Sequence, residues 1–339
     1  MYDFRLVIYN DLDSGATIHF HALTPPSNQD GVPFVANANI NPQNMQRYRF
    51  NQFTYPGMHW MHAHTGFKQA FGVSAPIILQ HNDFYAKSNG FSKDDDLVVM
   101  LEDGNKYPEC AYANGTWFNE TTECGGLQNG VLFLINRQEK AIEHKPTTSN
   151  EEGAPETIRI RFLNGGTLVN WKITTLSWNT ATLSPVFNKK VDPSMEILAT
   201  DGQDVIRKGV KKESDFVLGL ANRIDVLLTV DPKRDVLIAG IQMPPFGQNT
   251  TNPAVRYIVI RGKDTPEHEK INVDELNKKL FFKGTCNQTT STNFGIYANL
   301  ASAHPLPERK VNRTYSLWNR GGNREGGFPL EIFEGTRVL

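Results

Sequence analysis

Two short stretches of this 339-residue sequence contain closely spaced histidines. His19 and His21 lie in T-I-H-F-H-A, and His62 and His64 lie in H-W-M-H-A-H-T-G. Residues i and i+2 of a β-strand point to the same face, so each pair would direct two imidazoles the same way. Four converging imidazoles suit a transition metal such as copper or zinc better than magnesium or calcium. The pattern therefore predicts a metal site, since four unrelated surface histidines would have to show the same spacing twice by chance.

Strand parity also sorts the neighbours of the second pair. Trp60 shares the face of His62 and His64, and it would either border the metal site or fill the core as an ordinary aromatic residue. His59 lies three residues before His62. A strand would turn it to the opposite face, so His59 is not predicted as a ligand.

The elements that must position these histidines are short strands. F-R-L-V-I-Y-N and Q-R-Y-R-F-N-Q-F alternate between apolar and polar residues, which is typical of half-buried strands. Turns rich in Gly, Pro and Asn separate them, including D-G-V-P at 30–33. The first segment has no long helical pattern. The sequence predicts an all-β fold built from sandwiches.

The length is too great for one ordinary domain and favours two or three. We predict a first domain over residues 1–104, ending in a loop rich in Cys, Gly and sequons. A second domain is predicted over 105–265, where the polar stretch K-D-T-P-E-H-E-K-I-N begins a linker. Residues 266–339 then comprise that linker and a partial third domain.

Charge and hydropathy exclude some classes of partner. With 35 Lys and Arg against 36 Asp and Glu, the formal net charge is -1, and no basic stripe for nucleic acid stands out. The longest apolar runs are strand-sized and far shorter than a membrane span. The first residues alternate like a strand and do not resemble a signal peptide.

Sequons and cysteines nevertheless predict a secreted glycoprotein. Cys110 and Cys124 flank a loop that itself contains two sequons, which suits a disulfide in an oxidising compartment, and Cys286 is left over. Asn-x-Ser/Thr sequons mark glycosylation acceptors on exported proteins. They occur at Asn114, Asn119, Asn249, Asn287 and Asn312.

Taken together, the histidine stretches and the turn between them resemble the N-terminal domain of three-domain multicopper oxidases, the family of laccases, ascorbate oxidases and ferroxidases. That family has T-x-I-H-W-H-G, D-G-V-P and G-T-x-W-Y-H-S-H in this order. Here the same places have A-T-I-H-F-H-A, D-G-V-P and G-M-H-W-M-H-A-H. Weaker similarity extends to about residue 262 through R-I-R-F-L-N, I-L-A-T-D-G and N-R-I-D-V-L-L. The resemblance implies tandem cupredoxin-like Greek-key β-sandwiches, the last one incomplete.

The resemblance also implies a role for each histidine. His19 matches a ligand of the family's type 2 copper. His21, His62 and His64 match ligands of the type 3 pair, and these coppers together form the trinuclear cluster that reduces dioxygen to water. Asp30, in D-G-V-P, matches an acidic residue that helps to supply protons, while its role as a turn residue capping backbone amides stays open.

Several parts of such an oxidase are missing from this sequence. The family holds its type 1 copper with a Cys inside H-C-H, but neither Cys110, Cys124 nor Cys286 has a neighbouring His. The other trinuclear ligands would lie in a C-terminal domain beyond Leu339. We therefore expect a fragment lacking both termini, inactive alone, from a protein that oxidises a phenol, ascorbate or Fe(II).

Two other functions fit the histidines. One is a copper-binding cupredoxin relative without oxidase activity. The transcript beyond Leu339 would distinguish the two, since H-C-H there indicates an oxidase and a stop codon indicates the relative. A zinc hydrolase would usually add a carboxylate or Cys ligand and keep an open position for water. The metal that copurifies would distinguish copper from zinc.

Overall fold

The computed structural model describes the chain in several stretches, which form strands with only short helical turns between them. The α-helices of the described residues are α1 (Asp83–Ser88) and α2 (Val273–Leu276), so the fold is all-β, as predicted. Among these residues there is no helix long and apolar enough to cross a membrane. The chain divides into two compact units, Met1–Ala303 and His304–Leu339. The described residues are 2–33, 35–52, 56–65, 68–105, 131–147, 155–187, 195–205, 215–243, 249–282, 285–287, 315–319, 330–334 and 337–338.

Two small sheets begin the larger unit and enclose one apolar core. Tyr48 and Phe50 are buried and pack with Phe20, while the neighbouring Arg47 and Arg49 are exposed, as alternation on a half-buried strand requires. One sheet pairs the first and third strands, and the other places the fourth strand between the second and the fifth. The strands are β1 (Tyr2–Tyr9), β2 (Ile18–His21), β3 (Met45–Gln52), β4 (Gly57–Ala63) and β5 (Ser74–Leu79).

A larger sandwich of two six-stranded sheets follows, and we call it the second sandwich. Its core takes apolar residues from both sheets, among them Ile160, Phe162, Trp171 and Ile173, none of which is exposed. The first sheet contains β6 (Asp96–Asn105), β7 (Val131–Ile135), β9 (Glu156–Asn164), β12 (Glu196–Thr200), β13 (Gln203–Asp204) and β15 (Arg223–Val230). The second contains β8 (Ile142–His144), β10 (Trp171–Asn179), β11 (Ser184–Val186), β14 (Asp215–Leu218), β16 (Val236–Gln242) and β18 (Val255–Ile260).

The strand order shows where the predicted domain boundaries lie in the second sandwich. The sheets run β13-β12-β15-β9-β6-β7 and β11-β10-β16-β18-β8, with β14 also on β10. The predicted boundary after residue 104 lies near the end of β6, a strand that pairs in parallel with β9. The three-domain division stays a prediction. Ile271 and Leu276, in the stretch predicted as linker and third domain, are buried in a cluster with Tyr257 and Val259.

The remaining strands are short. β17 (Asn249–Thr251) pairs with β19 (Thr285–Asn287), which contains Cys286. The smaller unit contains a three-stranded antiparallel sheet of β20 (Tyr315–Asn319), β21 (Leu330–Glu334) and β22 (Arg337–Val338). Cys110, Cys124, Asn114, Asn119 and Asn312 lie outside the described residues.

A layer of ion pairs covers the outer face of β9. Arg159 and Arg161 alternate with its core residues, yet each is only 1% exposed. Both guanidinium groups contact the carboxylate of Asp225, and Arg161 also binds both oxygens of Asp96 at 2.6 Å. The Cζ atom of Arg159 lies 5.6 Å from the ring centroid of Tyr85, which is on α1. The connection after β5 therefore buries a face that strand alternation predicts to be solvated.

Candidate metal centre

Antiparallel pairing of β2 and β4 brings the two histidine pairs together. His19 lies opposite His62, and His21 lies opposite Trp60. His64 follows the end of β4, where its backbone N–H donates to Thr17 O at 3.1 Å. The alternation within each strand then turns all four imidazoles to one face of the sheet.

The four rings form a compact group. The ring centroid of His19 lies 5.7 Å from that of His21, 5.4 Å from that of His62 and 5.6 Å from that of His64. One donor atom each from His19, His21 and His62 lies within 4.8 Å of the others. His62 is buried, His19 and His21 are half-buried, and His64 is exposed. The group is thus open on the side of His64.

Hydrogen bonds fix the tautomers of two rings. The Nδ1 atom of His19 lies 2.7 Å from Asp30 O, and Nδ1 of His62 lies 3.1 Å from Ala63 O. A carbonyl oxygen only accepts, so each Nδ1 is the protonated donor, and in the neutral ring Nε2 is the atom with the lone pair. A neutral imidazole in this tautomer can bind a metal through Nε2, and the donor set therefore fits a borderline transition-metal cation.

Asp30 reaches the cluster through a tightly packed turn. Its Oδ1 lies 3.2 Å from Nδ1 of His19, beside the carbonyl contact. The next residue, Gly31, has φ +82°, and a Cβ there would lie 1.9 Å from Ile18 O on β2. Its N–H donates to Oδ1 of Asn37 at 2.6 Å. Only glycine permits this approach, which places both Asp30 contacts on His19.

Trp60 lies beside the histidine cluster and is also a core residue. Its ring stacks on His21 at 5.1 Å and on His62 at 4.3 Å, and it is 1% exposed. Burial lowers the pKa of His62 to about 4; for His21, burial together with the Arg223 guanidinium lowers the pKa to about 4. Both imidazoles are consequently neutral at pH 7, as a metal ligand must be.

Arg223 is a neighbour of the cluster that the histidine motifs do not identify. It is 3% exposed at the start of β15 and donates from Nε to Met58 O at 3.3 Å, a contact between residues 165 positions apart. No local spacing marks such a partner. Its place in N-R-I-D-V-L-L is the only sequence signal, and that phrase indicates a strand.

The other histidines described lie elsewhere. His59 is buried on the opposite face of β4. It packs closely against Gly202, since a Cβ added to that glycine would lie 3.2 Å from Cε1 of His59. His81 stacks on Tyr85, and His144 lies near Asp95. The exclusion of His59 by strand parity agrees with this geometry.

Comparison with known proteins gives a family match at the N-terminus. Residues 2–83 match the multicopper oxidase family model. The chain is 35% identical over 98 residues to copper resistance protein A of Pseudomonas syringae pv. tomato and 33% identical over 98 residues to that of Escherichia coli. Each match covers 29% of this chain and spans only 15% of the length of the relative.

Solved structures resemble the chain over a greater length. The blue copper oxidase from Nitrosomonas europaea is 20% identical with a TM-score of 0.54, covering 85% of each chain. Fet3p, described as a multicopper oxidase that functions in iron import, is 17% identical with a TM-score of 0.59, covering 97% of this chain and 56% of its own. At these identities the likeness shows the fold, and it confirms the predicted cupredoxin-like β-sandwiches.

Proposed function

We propose that this chain, whose residues 2–83 belong to the multicopper oxidase family, binds copper with four imidazoles on one face of its β2–β4 pair. The convergence of these rings is the observation that carries the proposal. The proposed ligands are His19, His21, His62 and His64.

Copper is favoured over other metals by the donors themselves. The three atoms within 4.8 Å of one another are all imidazole nitrogens, which suit copper and zinc and not magnesium or calcium. Zinc hydrolase sites usually include a carboxylate or thiolate and an open water position. The family match in residues 2–83 then favours copper over zinc.

The proposed activity is oxidation of a small reducing substrate with reduction of dioxygen to water. Bound copper would supply the one-electron redox chemistry. The chain's own residues hold and orient the ligands: Asp30 fixes the tautomer of His19 through its carbonyl, and its carboxylate oxygen can hold a proton 3.2 Å from Nδ1. We propose Asp30 as the residue that passes protons towards the cluster.

This chain would contribute one half of a trinuclear cluster. In the family pattern, the other ligands and the type 1 copper are supplied by a C-terminal domain, and such a domain is the partner that we propose for this cluster. The donor, whether a phenol, ascorbate or Fe(II), would bind near that type 1 site. Export, glycosylation and a Cys110–Cys124 disulfide stay predictions from the sequence.

Copper titration of the purified metal-free chain tests the proposal. In competition with a chelator of known affinity, we expect binding that is lost in His19→Ala and His62→Ala and kept in His268→Ala, a remote histidine whose side chain is 81% exposed. Equal binding by all three variants, or preferential retention of zinc, would refute a copper site at this cluster.

Oxygen consumption tests whether the chain alone has oxidase activity. We expect the chain alone to show little turnover of a phenolic donor and no blue absorbance, because it lacks H-C-H. Strong activity from the chain alone would contradict the half-cluster. A copper-binding relative without oxidase activity is the second candidate, favoured by the same missing motif, and it predicts copper binding with no turnover even from the full-length protein.

A further inference from the structure

We propose that Arg223 is a positioning residue for the histidine cluster, and that it acts by holding the first half of β4 against the second sandwich. The inference rests on the proposed copper function for its consequence. The geometry that carries it involves Arg223, Met58 and Trp60.

All three nitrogens of the Arg223 guanidinium are used as donors to backbone carbonyls. Nη1 donates to Ala221 O and Nη2 to Asp201 O, each at 2.9 Å, and Nε donates to Met58 O at 3.3 Å. The first two partners lie in the second sandwich, and the third lies on β4. The planar fork of an arginine can make these three bonds at fixed angles, whereas the ammonium of a lysine cannot.

The turn at Asp201 and Gly202 brings the two parts close enough for this contact. The Asp201 carboxylate accepts from Arg223 N at 3.0 Å and lies 3.2 Å from its Nη1. Gly202 has φ +81°, and a Cβ on Gly57 would lie 2.6 Å from Gly202 O. Two glycines face each other here, so the start of β4 lies directly on the turn.

Trp60 connects the hydrogen bond at Met58 with the histidines. Met58 and Trp60 share one face of β4, and both are buried in a cluster with Met100 and Leu163 of the second sandwich. The indole also stacks on two proposed ligands, at 5.1 Å from His21 and 4.3 Å from His62. A shift of Met58 would therefore move the surface on which these imidazoles rest.

Arg256 provides a matched comparison. It is 1% exposed in the same sandwich and donates to three backbone carbonyls, Phe133 O at 2.7 Å, Val255 O at 2.8 Å and Leu280 O at 3.3 Å. These acceptors all lie outside residues 2–83. Loss of Arg256 would thus remove a similar set of bonds without releasing β4.

The experiment compares Arg223→Met, Arg223→Lys and Arg256→Met in the complete chain. Thermal unfolding reports stability, chelator competition reports copper affinity, and the histidine ring resonances of the metal-free protein report the position of Trp60 through its ring current. We expect both Met variants to unfold at lower temperature. Only the Arg223 variants should shift the His62 and His21 resonances and weaken copper binding, by about tenfold or more as for other residues that orient ligands.

Arg223→Lys keeps the positive charge but not the planar guanidinium, so it distinguishes an effect of the hydrogen bonds from an effect of the charge. It also provides a test if Arg223→Met does not fold. Full recovery of the ring resonances and copper affinity by lysine would overturn the positioning role, as would equal effects of Arg223→Met and Arg256→Met. If the wild-type chain binds no copper, the proposed function fails, while shifted His62 resonances in the metal-free Arg223 variants would still support the restraint on β4.

Discussion

The indole of Trp60 lies against the imidazole of His62, with ring centroids 4.3 Å apart and ring planes 28° from parallel. The same indole is buried in a cluster with Met100 and Leu163 of the second sandwich. A core residue and a proposed metal ligand are therefore in direct contact, and packing of the second sandwich can influence the cluster.

Replacement of Trp60 by leucine should affect both stability and copper binding. We expect a loss of about 3 kcal/mol from the cavity and the lost burial. Copper affinity should fall about tenfold, because His21 and His62 lose the surface that orients them. The measurements are denaturant unfolding and chelator competition.

Trp171→Leu is the control for Trp60→Leu. Trp171 is fully buried in the core of the second sandwich, away from the histidines. The Trp171→Leu variant should lose about as much stability as Trp60→Leu and keep the copper affinity of the wild type. A similar fall in copper affinity for both variants would mean that Trp60 has no specific effect on the ligands.

Gly31→Ala should disrupt the turn that holds Asp30. The substitution adds a Cβ 1.9 Å from Ile18 O at a residue with φ +82°, so clash and backbone strain combine to cost about 3 kcal/mol. Gly90 has φ +76° with nothing within 4 Å of its would-be Cβ. Gly90→Ala should show only the strain, about 1 kcal/mol. Equal losses of unfolding free energy in the two variants would contradict the clash with β2.

Local rules were sufficient to predict that the four imidazoles lie on one face of the β2–β4 pair. Strand parity selects His19, His21, His62 and His64 and rejects His59, because side-chain direction along a strand depends only on position. The all-β class likewise follows from alternation and turn residues. Both are properties of neighbouring residues.

Long-range contacts account for what could not be predicted. Arg223 reaches β4 from 165 residues away, and no spacing rule connects such residues. Arg159 and Arg161 alternate like surface residues, but α1 and its flanking residues cover them. The parallel pairing of β6 with β9 also depends on distant segments, so no local sequence pattern connects these two strands.

The buried arginine layer makes a stability prediction. Asp225→Asn should cost about 3 kcal/mol, because Arg159 and Arg161 would lose their shared anion in a site excluded from water. Asp3→Asn is the control, since Asp3 pairs with Arg5 on the surface and its replacement should leave the unfolding midpoint nearly unchanged. Chemical denaturation measures both. A midpoint for Asp225→Asn within error of wild type would show that the layer does not depend on this carboxylate.

His144 makes the pH prediction. Burial lowers its pKa below the ordinary 6.5, and the carboxylate of Asp95, 3.8 Å from Nε2, partly offsets that effect. The unfolded chain therefore binds more protons than the folded one just below pH 6.5, so the stability contributed by His144 is present above that pH and is lost as the pH falls. Asp95→Asn should lower the pKa further, since the amide still accepts from Thr147 N but has no charge. Histidine NMR titration measures both midpoints, with the exposed Asp94→Asn as the control that should leave His144 unchanged. A wild-type midpoint at or above 6.5, or a higher one in Asp95→Asn, would be inconsistent with burial as the dominant cause.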